Sequence, residues 1–244
     1  MKYANTVLEQ LDENGPMRVT HVSVFALVLL CLLAVFALNV KQRAHSAETG
    51  GHQLKLPDDA RVERFDLAQK GIENWKVIDG KWTVEQPTGA PSEKRVLMLR
   101  PQGSAYNVIV APGGPYSDVD VSVRFKPISG GEDASGGIVF RFSDGRYYVV
   151  RANALEDNFR LYYYDQRRYQ LATAKVKPPP LGQWHTLRVI AVGPLIQAYL
   201  NDQLLLDHQD SRFKAGQIGL WTKSDSVTAF DDLEIKRTNS KEVK

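Results

Sequence analysis

Cysteine is nearly missing from this chain of 244 residues: its one thiol, Cys31, lies inside an apolar run. A single thiol excludes a disulfide framework and any cysteine-based metal site. Leu30 is too bulky for the residue before a lipidated cysteine, which speaks against a lipoprotein anchor there. Histidine is scarce as well. His52, His185 and His208 lie far apart without ligand spacing, so the sequence points to no zinc site. Neither a G-x-S-x-G elbow nor a P-loop occurs. Of the 31 Lys and Arg and the 28 Asp and Glu, only four and three precede Ala47, so the remainder nearly balances. With no long basic stripe, a nucleic-acid partner is not expected.

Long hydrophobic runs are also absent, with one exception. Val24–Leu38 (VFALVLLCLLAVFAL) carries no charge. As a helix it spans roughly 22 Å against a hydrocarbon core of roughly 30 Å, and extending it over 22–40 reaches roughly 28 Å. An uncleaved signal anchor and a removable secretory signal both fit. Ala44 and Ser46 have the small-residue spacing of a cleavage site, but Lys41 and Arg43 stand between it and the run. The anchor is favoured, with the bulk of the chain on the periplasmic or extracellular side of a membrane, or secreted if the segment is cleaved. The expected divisions are a polar segment (1–20), the transmembrane anchor or signal segment (21–40), a linker (41–60), a β-domain (61–237) and a basic tail (238–244).

What the rest of the chain has is alternation. DVDVSVRF (Asp118–Phe125) places Val119, Val121, Val123 and Phe125 on one side, with charged and polar residues on the other. That is the period of a half-buried strand. Similar runs recur from WKVI at Trp75 to VTAFDDLEI at Val227, and no stretch of about twelve residues keeps a helical stripe. Asp79-Gly80, Asp144-Gly145 and Asn201-Asp202 sit between apolar runs as turn signals. The expectation is an all-β sandwich or barrel preceded by one N-terminal apolar helix.

The stretch RANALEDNFRLYYYD, from Arg151, sorts as a hairpin around an Asp157-Asn158 turn. Asn153 would then face Tyr162, and Arg151 would face Tyr164. One face gathers Arg151, Asn153, Arg160, Tyr162 and Tyr164, and the other gathers Ala152, Ala154, Phe159, Leu161 and Tyr163. A one-residue slip would exchange the faces. The polar–aromatic face suits a sugar, because planar bidentate side chains meet hydroxyls and rings meet C–H faces. Trp221 and Lys223 would extend it, and Arg141 with Tyr148 would join only through a bulge or twist. Simple sheet packing is the competing reading for all of these residues.

Five segments carry a family resemblance: WKVIDGKWTV, GGIVFRFSDGRYYVVRANALEDN, GQWHTLRV, LNDQLLLDHQD and GQIGLWTKSDSVTAFDDLEI. The chain resembles the concanavalin A-like lectin/glucanase superfamily, most of all its bacterial 3-keto-disaccharide hydrolase-type domains. The resemblance implies a two-sheet antiparallel jelly-roll sandwich over roughly residues 61–235 and a carbohydrate partner. Members include binding modules and hydrolases. Family-16 glucanases of that superfamily use an E-x-D-x-E strand, which this chain lacks. Its nearest acid pairs are Asp118 with Asp120 and Asp232 with Glu234, both read as solvated strand acids. Sugar-binding sandwiches suggest by analogy a calcium ion near Asp231 or Asp232, although isolated Asp pairs more often cap turns. Three functions stay open: a membrane-tethered glycan-binding module, a glycoside-acting hydrolase, and a structural or protein-interaction domain.

Overall fold

The computed structural model describes Leu54, residues 61–65, 72–86 and 95–237. The N-terminal apolar helix, the anchor or signal segment, the linker apart from Leu54, and the basic tail lie outside the described residues. Those residues contain no helix and fifteen strands.

One sheet has eight strands. Its order is β13 (Gln203–Gln209), β12 (Leu195–Leu200), β11 (His185–Val192), β6 (Val119–Ser129), β15 (Val227–Arg237), β4 (Val96–Arg100) and β3 (Lys81–Glu85). β1 (Arg61–Phe65) pairs the C-terminal half of β15, while β4 pairs its N-terminal half. The second sheet has seven strands, in the order β10 (Arg167–Lys175), β9 (Asn158–Asp165), β8 (Arg146–Asn153), β7 (Ser135–Ser143), β14 (Gln217–Lys223), β5 (Tyr106–Val110) and β2 (Lys76–Asp79). Every pairing is antiparallel. The result is the expected two-sheet jelly-roll sandwich.

Alternation drives the layering. The inward positions of both sheets, among them Phe125, Phe140, Phe159, Leu161, Leu220 and Phe230, make one buried cluster between the layers. Full burial of each such side chain contributes about 1.5–3 kcal/mol. Gly136 lets the layers approach, since a Cβ there would lie 2.5 Å from the Phe125 ring. The turn signals divide into two kinds. Asp144-Gly145 and Asn201-Asp202 have left-handed φ at both residues and close the β7–β8 and β12–β13 hairpins. Asp79-Gly80 instead carries the chain from β2 in one sheet to β3 in the other.

Neither acid pair on a strand is simply solvated. Arg188 clamps Asp120 with two hydrogen bonds of 2.7 Å, and Asp118 accepts the Gly193 N–H at 2.8 Å. Glu234 pairs with Lys236 at 3.3 Å. Asp232 sits at a bulge in β15 with a φ of 50°, and the Asp231 carboxylate accepts its N–H at 2.9 Å. Among the described residues, no group of three or more His, Cys, Asp or Glu converges as a metal site would need.

Candidate functional site

The central strands of the seven-stranded sheet, β8, β7, β14 and β5, are buried on both faces. Its outward positions form a second cluster, which includes Val139, Phe142, Tyr147, Tyr162 and Trp221, with Tyr106 and Tyr164 packed at its edge. The rings form a continuous row. Phe142 stacks on Tyr147 at 5.9 Å, Tyr147 on Tyr164 at 5.0 Å, and Tyr106 on Trp221 at 5.8 Å. Tyr106 also meets Tyr164 edge-on at 5.8 Å. Burial pushes the Tyr147 hydroxyl well above its usual range, so it stays neutral.

The β8–β9 hairpin supplies the polar end of this face. Its register differs from the sequence expectation: Arg151 pairs Arg160, and Val149 pairs Tyr162. The turn is the four-residue loop 154–157, and Asn158 opens β9 instead of occupying the turn. The shift is an even number of residues, so the face assignment survives it. Arg151, Asn153, Arg160, Tyr162 and Tyr164 share the outer face, while Ala152, Phe159 and Leu161 enter the core.

Asn153 causes the wider turn. Its Oδ1 accepts the Leu155 N–H at 2.9 Å and the Ala134 N–H at 3.3 Å, while its Nδ2 donates to Asp133 at 3.0 Å. A side chain bonded at both ends positions the loop and has little left for a ligand. Lys223 reaches the same Asp133 carboxylate at 3.5 Å. Trp221 lies beneath the surface and is 0% exposed.

Arg151 is only 2% exposed, yet it is poorly satisfied. Its Nη2 donates to Glu156 at 2.7 Å and to the Tyr162 hydroxyl at 3.5 Å, while Nε and Nη1 are buried without a partner. Arg160 donates to the Tyr162 hydroxyl at 3.2 Å and lies 3.7 Å from Glu156. Burial raises the Glu156 carboxyl, but hydrogen bonds from Arg151 and Asn158 and the two arginine charges outweigh it. The group ends below the ordinary carboxylate value.

Arg141 and Tyr148 are not brought to this face. A left-handed φ of 53° at Arg141 forms a bulge that turns Phe142 outward and sends the guanidinium to the sandwich end. There it donates to the carbonyls of Ser117 (3.0 Å), Phe213 (2.9 Å) and Gly193 (2.7 Å). Tyr148, opposite Phe140 and not Arg141, lies in the inter-sheet core. Its hydroxyl donates to Asp210 and accepts the Phe213 N–H.

Three participants were not singled out from sequence: Glu156, Tyr106 and Arg168. Arg168, opposite Tyr164 on β10, lies 4.3 Å over Tyr162, 5.2 Å over Tyr106 and 5.9 Å over Trp221. The other end of the face opens into a cleft of about 650 Å³, lined by Lys76, Pro115, Phe142, Asp144 and Gln217 among others.

Comparison with known proteins follows the fold. Residues 62–236 match the family described as 3-keto-alpha-glucoside-1,2-lyase-like domains. A levanase of Bacillus subtilis (strain 168) is 23% identical over 151 residues, which make up 60% of this chain and 20% of that enzyme. The chain thus spans about a fifth of the length of that relative. Carbohydrate binding module CBM66 from Bacillus subtilis superposes with a TM-score of 0.57 at 21% identity, covering 66% of this chain and 94% of the module. A Bacillus subtilis protein of unknown function with a galectin-like fold gives a TM-score of 0.57 at 13% identity, covering 72% of this chain and 94% of that one. The likeness to both structures is one of fold. That fold is the concanavalin A-like jelly roll, in its carbohydrate-binding or glycosidase-like form.

Proposed function

We propose that this chain, which belongs to the 3-keto-alpha-glucoside-1,2-lyase-like domain family, binds a saccharide on the outer face of its seven-stranded sheet without cleaving it. One observation carries the reading: Arg151 is 2% exposed and lies outside the inter-sheet core, with two nitrogens unpartnered. A buried guanidinium so poorly matched costs folding free energy. It is the arrangement a ligand-binding face stores, because its remaining bonds form when the ligand arrives. The half-buried rings of Tyr106 and Tyr164 stand beside it for a pyranose or furanose face.

Binding is favoured over hydrolysis by the state of Glu156. Glycoside cleavage needs a carboxyl that holds its proton near neutral pH, with a second carboxylate about 5–9.5 Å away. Glu156 is held ionised by its arginines, and of the neighbouring carboxylates Asp133 is engaged by Asn153, Ser226 and Lys223 while Asp157 lies exposed beside Lys175.

The apolar run Val24–Leu38 supports placing the domain outside the cytoplasm, tethered to a membrane. Protease added to intact spheroplasts then digests it, and protection until lysis contradicts that placement. For the ligand, the purified full chain is screened on a glycan array with a parallel assay for released reducing ends. The expected outcome is binding without turnover, weakened about tenfold by Tyr164→Ala through loss of a stacking ring. Turnover that disappears in Glu156→Gln would replace this reading with the hydrolase one.

A further inference from the structure

Three guanidinium groups converge on one phenol. Arg151 Nη2 lies 3.5 Å and Arg160 Nη1 3.2 Å from the Tyr162 hydroxyl, and Arg168 is stacked 4.3 Å over the Tyr162 ring. Among the described residues one carboxylate contacts them: Glu156, at 2.7 Å from Arg151 and 3.7 Å from Arg160. Of the neighbouring acids, Asp133 pairs with Lys223, while Asp157, exposed and 3.6 Å from Lys175, reaches Arg160 only through a solvent-screened field. Among the described residues, Arg168 lies over the rings of Tyr106, Tyr162 and Trp221 and makes no ion pair. The cluster therefore holds three positive charges against one negative.

Like charges this close repel, and burial removes the water that would screen them. Buried nitrogens on all three arginines (Nε and Nη1 of Arg151, Nε of Arg160, Nη1 of Arg168) have no acceptor. The deficit is thus of acceptors and of negative charge together. A neutral sugar hydroxyl would meet the first need only. The rings give a second indication. A platform for a neutral sugar presents bare faces, whereas here Trp221 and Tyr162 are buried with Arg168 across them. A guanidinium lying over a ring satisfies none of its N–H donors there, so they remain for a planar or tetrahedral oxyanion.

We propose that the saccharide taken by this face is anionic, with a carboxylate or sulfate seated among Arg151, Arg160 and Arg168 against Tyr162. This rests on the glycan-binding reading above and adds the chemical class of the ligand. Glu156 holds Arg151 and Arg160 in place, and Arg168 is the adjustable member, since it comes from edge strand β10.

The test is calorimetric titration of the full chain with three size-matched oligosaccharides: a uronate oligomer, a sulfated oligomer with no carboxylate, and a neutral glucan. At least one acidic oligomer is expected to bind about tenfold or more tighter than the neutral one, and to weaken as salt rises from about 50 to about 500 mM. Preference between the two acidic oligomers identifies the anion. Arg168→Gln and Arg160→Gln should each lower affinity for the acidic ligand about tenfold, the loss of one charge-assisted bond. Melting temperature shows that each variant is folded. A neutral oligomer bound as tightly as the acidic ones, with both variants unchanged, overturns the anionic assignment and leaves glycan binding standing. No binding by any saccharide removes both.

Discussion

Arg141 and Arg151 lie on neighbouring strands, are each 2% exposed, and could hardly be used more differently. Arg141 donates to three backbone carbonyls from three separate loops, so its charge is spread over fixed dipoles. Burial lowers its affinity for the proton, yet a guanidinium stays charged. Arg151 has one short bond, to Glu156, whose side chain is 35% exposed. The same residue type is thus a satisfied strut at one end of the seven-stranded sheet and an unsatisfied donor on its outer face. Burial does not separate structure from function here; completeness of hydrogen bonding does.

The largest expected effect lies on the satisfied side. Arg141→Met removes three charge-assisted bonds to part-buried carbonyls at once and should cost about 3 kcal/mol or more in chemical denaturation. Glycan affinity per folded molecule should be unchanged. A mild loss would make Arg141 another incomplete donor and dissolve the contrast. Tyr148→Phe works on the same end of the sandwich with fewer bonds. It deprives the Phe213 N–H of its acceptor and Asp210 of a donor, for about 1–3 kcal/mol.

A smaller effect separates the two arginines by pH. Glu156 titrates below its unfolded value near 4.3, so its contribution is complete above that pH and fades as pH falls through the folded value. Melting temperature followed from pH 7 into acid should show a step below about pH 4.3 that Glu156→Gln reduces. Arg141→Met should leave that step intact, because no carboxylate bonds Arg141 in the folded chain.

Strands such as Val119–Ser129 and His185–Val192 are legible from alternation, because their two faces meet different environments. Arg61–Phe65 and Gln203–Gln209 were not read as strands; RVERF has few apolar residues and β13 is a largely exposed edge. The outer face of β8 and β9 was readable because parity survives an even register shift. The register itself was not, since Asn153 widens the turn through tertiary bonds to Ala134 and Asp133. Arg168 carries no sequence signal because its hairpin turns at Gln166, which has a left-handed φ of 59° where Gly or Asn is the usual signal. The bulge at Arg141 hides likewise in a strand-like run, GIVFRF, with no glycine at the kink.

The smallest expected change in stability belongs to Arg151, the residue proposed to hold the ligand. Arg151→Met keeps the aliphatic stem and removes a buried charge whose one ion pair is half in water. The partly screened pair is worth about 0–1 kcal/mol, and relief of the unpartnered nitrogens offsets part of that. Melting temperature and saccharide affinity measured on this one purified variant test the account most directly. The account predicts a melting temperature close to that of the parent chain, with affinity for the array-identified glycan reduced about tenfold or more. A destabilisation of about 3–5 kcal/mol, as for a buried pair broken in the core, with affinity unchanged in the folded fraction, would contradict it.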